Sequence, residues 1–138
     1  MNLINQRQDE IIEEFSDIDD WMDKYNYLIE LSHELPQLDA KYKTDAYLID
    51  GCQSRVWINA EIVDGVMKLS AESDAIIAKG LVALLVRVFD GISPQEIKDC
   101  ELYFIDKIGL SENLTPTRAN GLLSMVKRIK MFALAYTK

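Results

Sequence analysis

Cysteine and histidine are the side chains best suited to nucleophilic or metal chemistry near neutral pH. This sequence holds two cysteines and one histidine. Cys52 stands in Asp50-Gly51-Cys52-Gln53-Ser54-Arg55-Val56-Trp57, after a turn-forming Asp-Gly and directly before a run with strand periodicity. Gly51 permits tight or positive-φ backbone, and polar Gln53-Ser54 delays entry into the strand, so the thiol sits in a loop where another protein can reach it. Arg55 supplies one nearby positive charge that favours a thiolate. Free cysteine is also among the most often buried residue types. Local chemistry alone therefore leaves Cys52 open between a small core residue and a presented nucleophile.

The remaining candidates are weaker. Cys100 lies between acids in Lys98-Asp99-Cys100-Glu101, and local negative charge opposes thiolate formation. It reads as a packing or surface residue. His33 falls on the polar side of a helical pattern, in Ser32-His33-Glu34, and reads as a surface residue. Cys52, Cys100 and His33 are three soft ligands at wide separation, whereas a zinc site or iron–sulfur cluster takes about four. No phosphate-binding loop, dinucleotide fingerprint or paired-cysteine zinc spacing occurs. No metal or cofactor site is expected.

The elements that must position Cys52 follow from periodicity. Ile11, Ile12 and Phe15 mark a first acidic helix. Trp21, Tyr25, Leu28, Leu31 and Leu35 mark a second, with Asp19 or Asp20 as N-cap and Pro36 closing it. Residues 37–45 read as a polar loop. From Ser54 the period becomes two: Val56, Ile58, Ala60 and Ile62 share one face, and Arg55, Trp57, Asn59 and Glu61 share the other. Asp64-Gly65 is the preferred pair for a type I′ turn, and Met67, Leu69 and Ala71 alternate on the return strand. Residues 47–49 are expected to add a third short strand, since a lone hairpin is marginal in water.

Ser73-Asp74 is expected to cap a helix carrying Ile76, Ile77, Gly80, Leu81, Leu84, Leu85 and Val88, apolar enough to lie centrally against the sheet. Gly80 within it costs about 1 kcal/mol relative to Ala, and close approach to a neighbouring backbone is the expected compensation. Ser93-Pro94-Gln95-Glu96 forms a capping box with Pro at the first helical position. Gly91 precedes it. A further helical turn at residues 102–108 ends at Gly109. Thr115-Pro116 starts a last helix with Leu122, Leu123, Val126, Ile129 and Phe132. Helices, a small antiparallel sheet of about three strands, then helices make an α+β domain.

The 138 residues read as one domain, and the 49% hydrophobic content suffices for a core without disulfide staples. The formal net charge of −8 argues against sequence-independent nucleic-acid binding and against an anionic membrane surface. Charge is uneven: the N-terminal part is acidic, while Arg118, Lys127, Arg128, Lys130 and Lys138 gather near the other end. That basic helix packs on the acidic half or faces a partner. Residues 75–89, the longest apolar run, are interrupted by Lys79 and Arg87, and are shorter than the about 20 residues a bilayer span needs. The first residues carry no secretory pattern. Two cysteines make no disulfide framework, which points to reduced thiols and a cytoplasmic setting.

Read whole, Gly51-Cys52-Gln53-Ser54-Arg55-Val56-Trp57 resembles the Gly-Cys-Gln-Ser-x-Val-Trp signature of the SufE family, sulfur-acceptor partners of cysteine desulfurases that include the CsdE-like proteins. Other blocks agree in order and spacing. Asp20-Trp21, Lys24-Tyr25, Leu28-Ile29-Glu30-Leu31 and Leu35-Pro36 resemble the family's N-terminal helix. Ser73-Asp74-Ala75, Lys79-Gly80-Leu81 and Ala83-Leu84 resemble its central helix, and residues 114–122 resemble the opening of its last helix. Asp50 departs from many relatives, and an acid there raises the thiol pKa slightly without removing the nucleophile.

The resemblance implies a SufE/IscU-like fold over residues 1–138 and a sulfur relay. Cys52 takes sulfur as a persulfide from a pyridoxal-phosphate cysteine desulfurase, SufS- or CsdA-like, activating it and supplying a downstream iron–sulfur scaffold. The protein is then an accessory carrier, not a stand-alone enzyme, and needs no cofactor. Gly51, Gln53, Ser54, Asp74 and Arg118 become loop or partner-binding candidates. For Arg118 a helix-start salt bridge stands equally beside that role; Trp21 and Trp57 read as packing residues. Two other functions remain in view: a scaffold on which the cluster itself assembles, against which ligand count argues, and a thiol redox protein, against which the lack of a resolving cysteine argues.

Overall fold

A computed structural model describes residues 3–35, 38–49, 54–110 and 114–137 of the chain. In chain order these form α1 (Leu3–Ser16), α2 (Trp21–Ser32), two 3₁₀ turns (Ala40–Tyr42 and Asp45–Tyr47), β1 (Val56–Val63), β2 (Val66–Ser73), α3 (Ile76–Phe89), α4 (Pro94–Asp99), α5 (Phe104–Lys107) and α6 (Pro116–Tyr136). The architecture is α+β, as the alternation of periods predicts. The sheet differs from expectation in having two strands among the described residues. Residues 45–47 take a 3₁₀ turn instead, and Leu48 contributes only a single antiparallel bridge to Trp57. The hairpin's missing support comes from helices: α3 packs on β2 and α6 on β1.

The β1–β2 hairpin has Val63 opposite Val66 and Val56 opposite Ser73. Asp64 (φ 53°) and Gly65 (φ 83°) both take the left-handed conformation that a type I′ turn requires. The two-residue alternation holds for Val56, Ile58 and Ala60, which are buried. It fails at two positions. Ile62 is 41% exposed because the tip projects past the core, and Asn59 on the opposite face is only 5% exposed. The segment of 3₁₀ turns packs over that second face. There the Asn59 amide donates to Glu61 Oε1 (3.4 Å), which also accepts from the Tyr42 hydroxyl (2.6 Å).

Helix α3 buries Gly80, Leu81, Val82, Leu84, Leu85, Val86, Val88 and Phe89. Gly80 is the point of closest approach to α2: a Cβ there would lie 2.5 Å from the carbonyl oxygen of Leu28. Asp20 is the N-cap of α2, its carboxylate accepting from Met22 N at 2.9 Å. That helix ends at Ser32, with His33 exposed at its C-cap, while Pro36 lies outside the described residues. The loop that follows is not wholly polar in behaviour, since Leu38 is buried.

Helix α1 supplies Ile4, Ile11, Phe15 and one residue that apolar periodicity overlooks. Gln8 is 0% exposed. Its Oε1 accepts from the backbone N–H groups of Tyr103 (2.8 Å) and Phe104 (3.2 Å), and its amide donates to the carbonyl of Glu101 (3.2 Å). A buried amide is tolerated because each polar atom is bonded. Ser93 caps α4 as expected, its Oγ accepting from Glu96 N (3.4 Å), and the Glu96 carboxylate returns to the Ser93 hydroxyl, which donates to Oε2 (3.0 Å). Gly91 and Gly109 turn the chain at positive φ on either side of α4 and α5.

Two basic residues of α6 reach backbone carbonyls. Arg128 donates to the carbonyl of Leu48 (3.2 Å), and Lys130 donates to that of Cys100 (2.6 Å).

Gly80→Ala is expected to destabilise the protein by about 2 kcal/mol, because forcing a methyl against a rigid backbone outweighs the roughly 1 kcal/mol gained in helix propensity. Urea denaturation checks it; a stabilised variant would show that α2 moves aside at no cost.

Candidate functional site

Sequence marks the segment around Cys52 as the place for chemistry. Gly51, Cys52 and Gln53 lie outside the described residues. The flanks of the segment are well defined. On its upstream side Ile49 N donates to Val56 O at 2.8 Å, Leu48 bridges to Trp57, and Arg128 holds the Leu48 carbonyl. On its downstream side the Arg55 amide donates to Asp74 Oδ1 at 3.0 Å, and Asp74 N donates back to the Arg55 carbonyl at 3.2 Å. Ser73 Oγ donates to that same carbonyl at 2.8 Å. Ile49 and Val56, on either side of the Cys52 segment, are therefore held together by a backbone hydrogen bond.

Sequence predicts Asp74 within the cap of α3, and the structure differs. The cap is Ala75, which has no side-chain bond to offer, and Ser73 Oγ accepts from Ala75 N at 3.2 Å instead. The Asp74 carboxylate is spent on the loop, where the Arg55 amide occupies it. With no carboxylate capping it, the N-terminus of α3 keeps its partial positive charge.

That N-terminus opens into a cleft of about 200 Å³, whose walls include Ser54, Ala75, Ile77, Leu81, Arg118 and Met125. The cleft runs between the starts of α3 and α6, so two helix N-termini converge on it. Thr115 caps α6, accepting from Arg118 N at 3.3 Å. The Arg118 side chain is exposed, and among the described residues no carboxylate lies within 4.0 Å of it. The salt-bridge role considered for Arg118 is therefore not seen among those residues. Ser54 and Arg118 meet in one cleft, while Asp74 lies beside it as the loop's anchor. Two helix dipoles and a guanidinium make a setting that favours an anion such as a thiolate.

Three parts of this arrangement escape a reading of the sequence: the cleft-lining first turn of α3, Met125, and the bond from Arg128 to Leu48. Gly121, buried one turn after Arg118, was the available signal, because a missing side chain there leaves space beside α3.

The other sequence candidates stand apart. Cys100 is buried at the C-cap of α4, and burial pushes its thiol pKa up, against the opposing pull of Lys130. Trp21 packs against the core edge with its ring 5.7 Å from that of Tyr25, and Lys24 lies over it at 4.6 Å. Among the described residues no three His, Cys, Asp or Glu side chains group as metal ligands, and no helix is long and apolar enough to cross a membrane.

Fold and cleft together define a small α+β protein with a cleft between two helix N-termini, lined by Ser54 at the end of the Cys52 segment. Comparison with known proteins gives that class its family: the model of the SufE domain, described as an Fe–S metabolism associated domain, matches residues 9–133, and the chain belongs to the SufE family. It is 40% identical over 127 residues to an uncharacterized SufE-like protein of Rhizobium meliloti (strain 1021), covering 88% of this chain and 91% of that one. It is 41% identical over 127 residues to another from Rhizobium etli, covering 88% and 86%. A solution structure of a hypothetical protein from Thermus thermophilus shares the fold, with a TM-score of 0.78 at 21% identity over 96% of this chain and 97% of that one. The protein is one of Fe–S metabolism.

Two measurements test the arrangement. Asp74→Ala is expected to speed amide exchange at Arg55 at least severalfold and to cost about 1 kcal/mol, as for loss of one hydrogen bond. Asp74→Asn, which keeps an acceptor oxygen, retains most of the protection. In a Cys52→Ser variant the single remaining thiol, Cys100, is expected to react with a disulfide reagent at pH 8 far more slowly in the folded protein than after denaturation. Equal rates would place it at the surface.

Proposed function

We propose that this protein accepts sulfur from a pyridoxal-phosphate cysteine desulfurase, carries it as a persulfide on Cys52, and thereby stimulates the desulfurase and feeds an iron–sulfur scaffold. The observation that carries the reading is the Gly51-Cys52-Gln53-Ser54-Arg55-Val56-Trp57 motif in a chain of the SufE family. Connectivity supports it: Cys52 is two residues before Ser54 in the chain, and Ser54 lines the cleft.

The step is thiol exchange. The Cys52 thiol gives its proton to solvent, and the thiolate attacks the outer sulfur of the desulfurase persulfide. A sulfur–sulfur bond forms to Cys52, the original one breaks, and the desulfurase cysteine leaves as a thiolate. No net oxidation occurs. The α3 and α6 N-termini and Arg118 favour the negative sulfur before and after transfer. Gly51 and Gln53 shape the loop in this reading, and Asp74 anchors it. The chain acts as one domain and as an accessory to the desulfurase, in a reducing compartment such as the cytoplasm.

Incubation with a desulfurase and cysteine is expected to add about 32 Da, one sulfur atom, localised to Cys52 by peptide mass spectrometry. Cys52→Ser abolishes stimulation of the desulfurase, whereas Cys100→Ser preserves it. Undiminished stimulation by the Cys52 variant would end the proposal.

A further inference from the structure

We infer that Ile76, at the mouth of the cleft, is the apolar anchor by which the desulfurase is recognised, seated in an apolar socket that the partner borders with carboxylates facing Arg118. The inference rests on the sulfur-relay reading and adds to it the chemistry of the docking surface.

Ile76 is the first residue of α3 and is 60% exposed, while the helix beyond its first turn is largely buried. Neither folding nor helix formation asks for isoleucine there. A first helical turn favours acidic residues or proline, and a β-branched side chain loses rotamer freedom in a helix. Its side chain lines the same cleft as Ser54 and Arg118. Ser54, Ile76 and Arg118 thus share one surface next to the Cys52 segment, and an apolar residue beside an arginine is the usual composition of an energetic centre in an interface.

Charge narrows the partner. The chain carries a net −8, yet at this mouth Arg118 has no carboxylate within 4.0 Å among the described residues. Asp74 lies beside this mouth, its Oδ1 accepting from the Arg55 amide. The Arg118 guanidinium is a positive group on a molecule of the opposite net sign, and the complement of that group is acidic.

The test titrates desulfurase activity with the full-length protein and reads half-saturating concentration separately from maximal stimulation. Ile76→Ser is expected to raise the half-saturating concentration about tenfold with the maximum unchanged. Ile76→Leu, which keeps the apolar area, stays near wild type. Leu123→Ser removes a comparably exposed residue (62%) that lines no part of this cleft, and is expected to change neither quantity. An unchanged half-saturating concentration for Ile76→Ser, or an equal rise for Leu123→Ser, would overturn the inference while leaving the relay intact. Absence of stimulation by the wild-type protein would remove the relay itself, and this inference with it.

Discussion

Helix α3 is apolar around nearly all its circumference, and the burial of that surface orders the rest of the molecule. A helix of this kind must be enclosed on several sides. It is covered by α2, β2, α6 and α1. Each covering element supplies a matching apolar stripe: Leu28 and Leu31 from α2, Met67, Leu69 and Ala71 from β2, and Leu122, Met125 and Ile129 from α6. The one charged residue on its inner half, Arg87, is paired with Glu14 of α1, and that hydrogen bond holds the Glu14 carboxyl below the usual carboxylate range. Arg7 closes the far end, donating to the carbonyls of Arg87, Val88 and Asp90.

The opposite end adjoins the Cys52 segment. The hairpin enters α3 through Ser73-Asp74, and both residues bond to Arg55 instead of capping the helix conventionally. One short stretch thus serves three purposes. It ends β2, holds the Arg55 backbone, and leaves the positive end of the α3 dipole turned toward the cleft. Because α6 packs on both α3 and β1, it brings Arg118 to the same cleft and Arg128 to the loop's upstream side. The Cys52 segment is thus flanked by fixed scaffold on both sides, which suits the thiol presentation proposed for it.

Much of this was legible in the chain. The Asp64-Gly65 turn, the capping box at Ser93, the N-caps at Asp20 and Thr115 and the close packing at Gly80 all follow from local stereochemistry that few residue types satisfy. The errors arose where tertiary context competed with local signal. Residues 47–49 have strand character, but a third strand does not form among the described residues. Asn59 and Ile62 break the alternation because the 3₁₀ segment covers one face of β1 while the tip outruns the core on the other. Gln8 escaped notice because its burial depends on backbone donors some ninety residues away.

By itself the sequence determined the α+β class and the hairpin with its register, and it singled out Cys52 as the candidate thiol. Those properties live in dihedral preference, periodicity and side-chain chemistry, all local. Only the tertiary structure decided that Asp74 anchors the loop, that Cys100 is withdrawn by burial, and that Ser54, Ile76 and Arg118 share one cleft. Each depends on which surfaces meet when α3 is buried, and no residue carries that information alone.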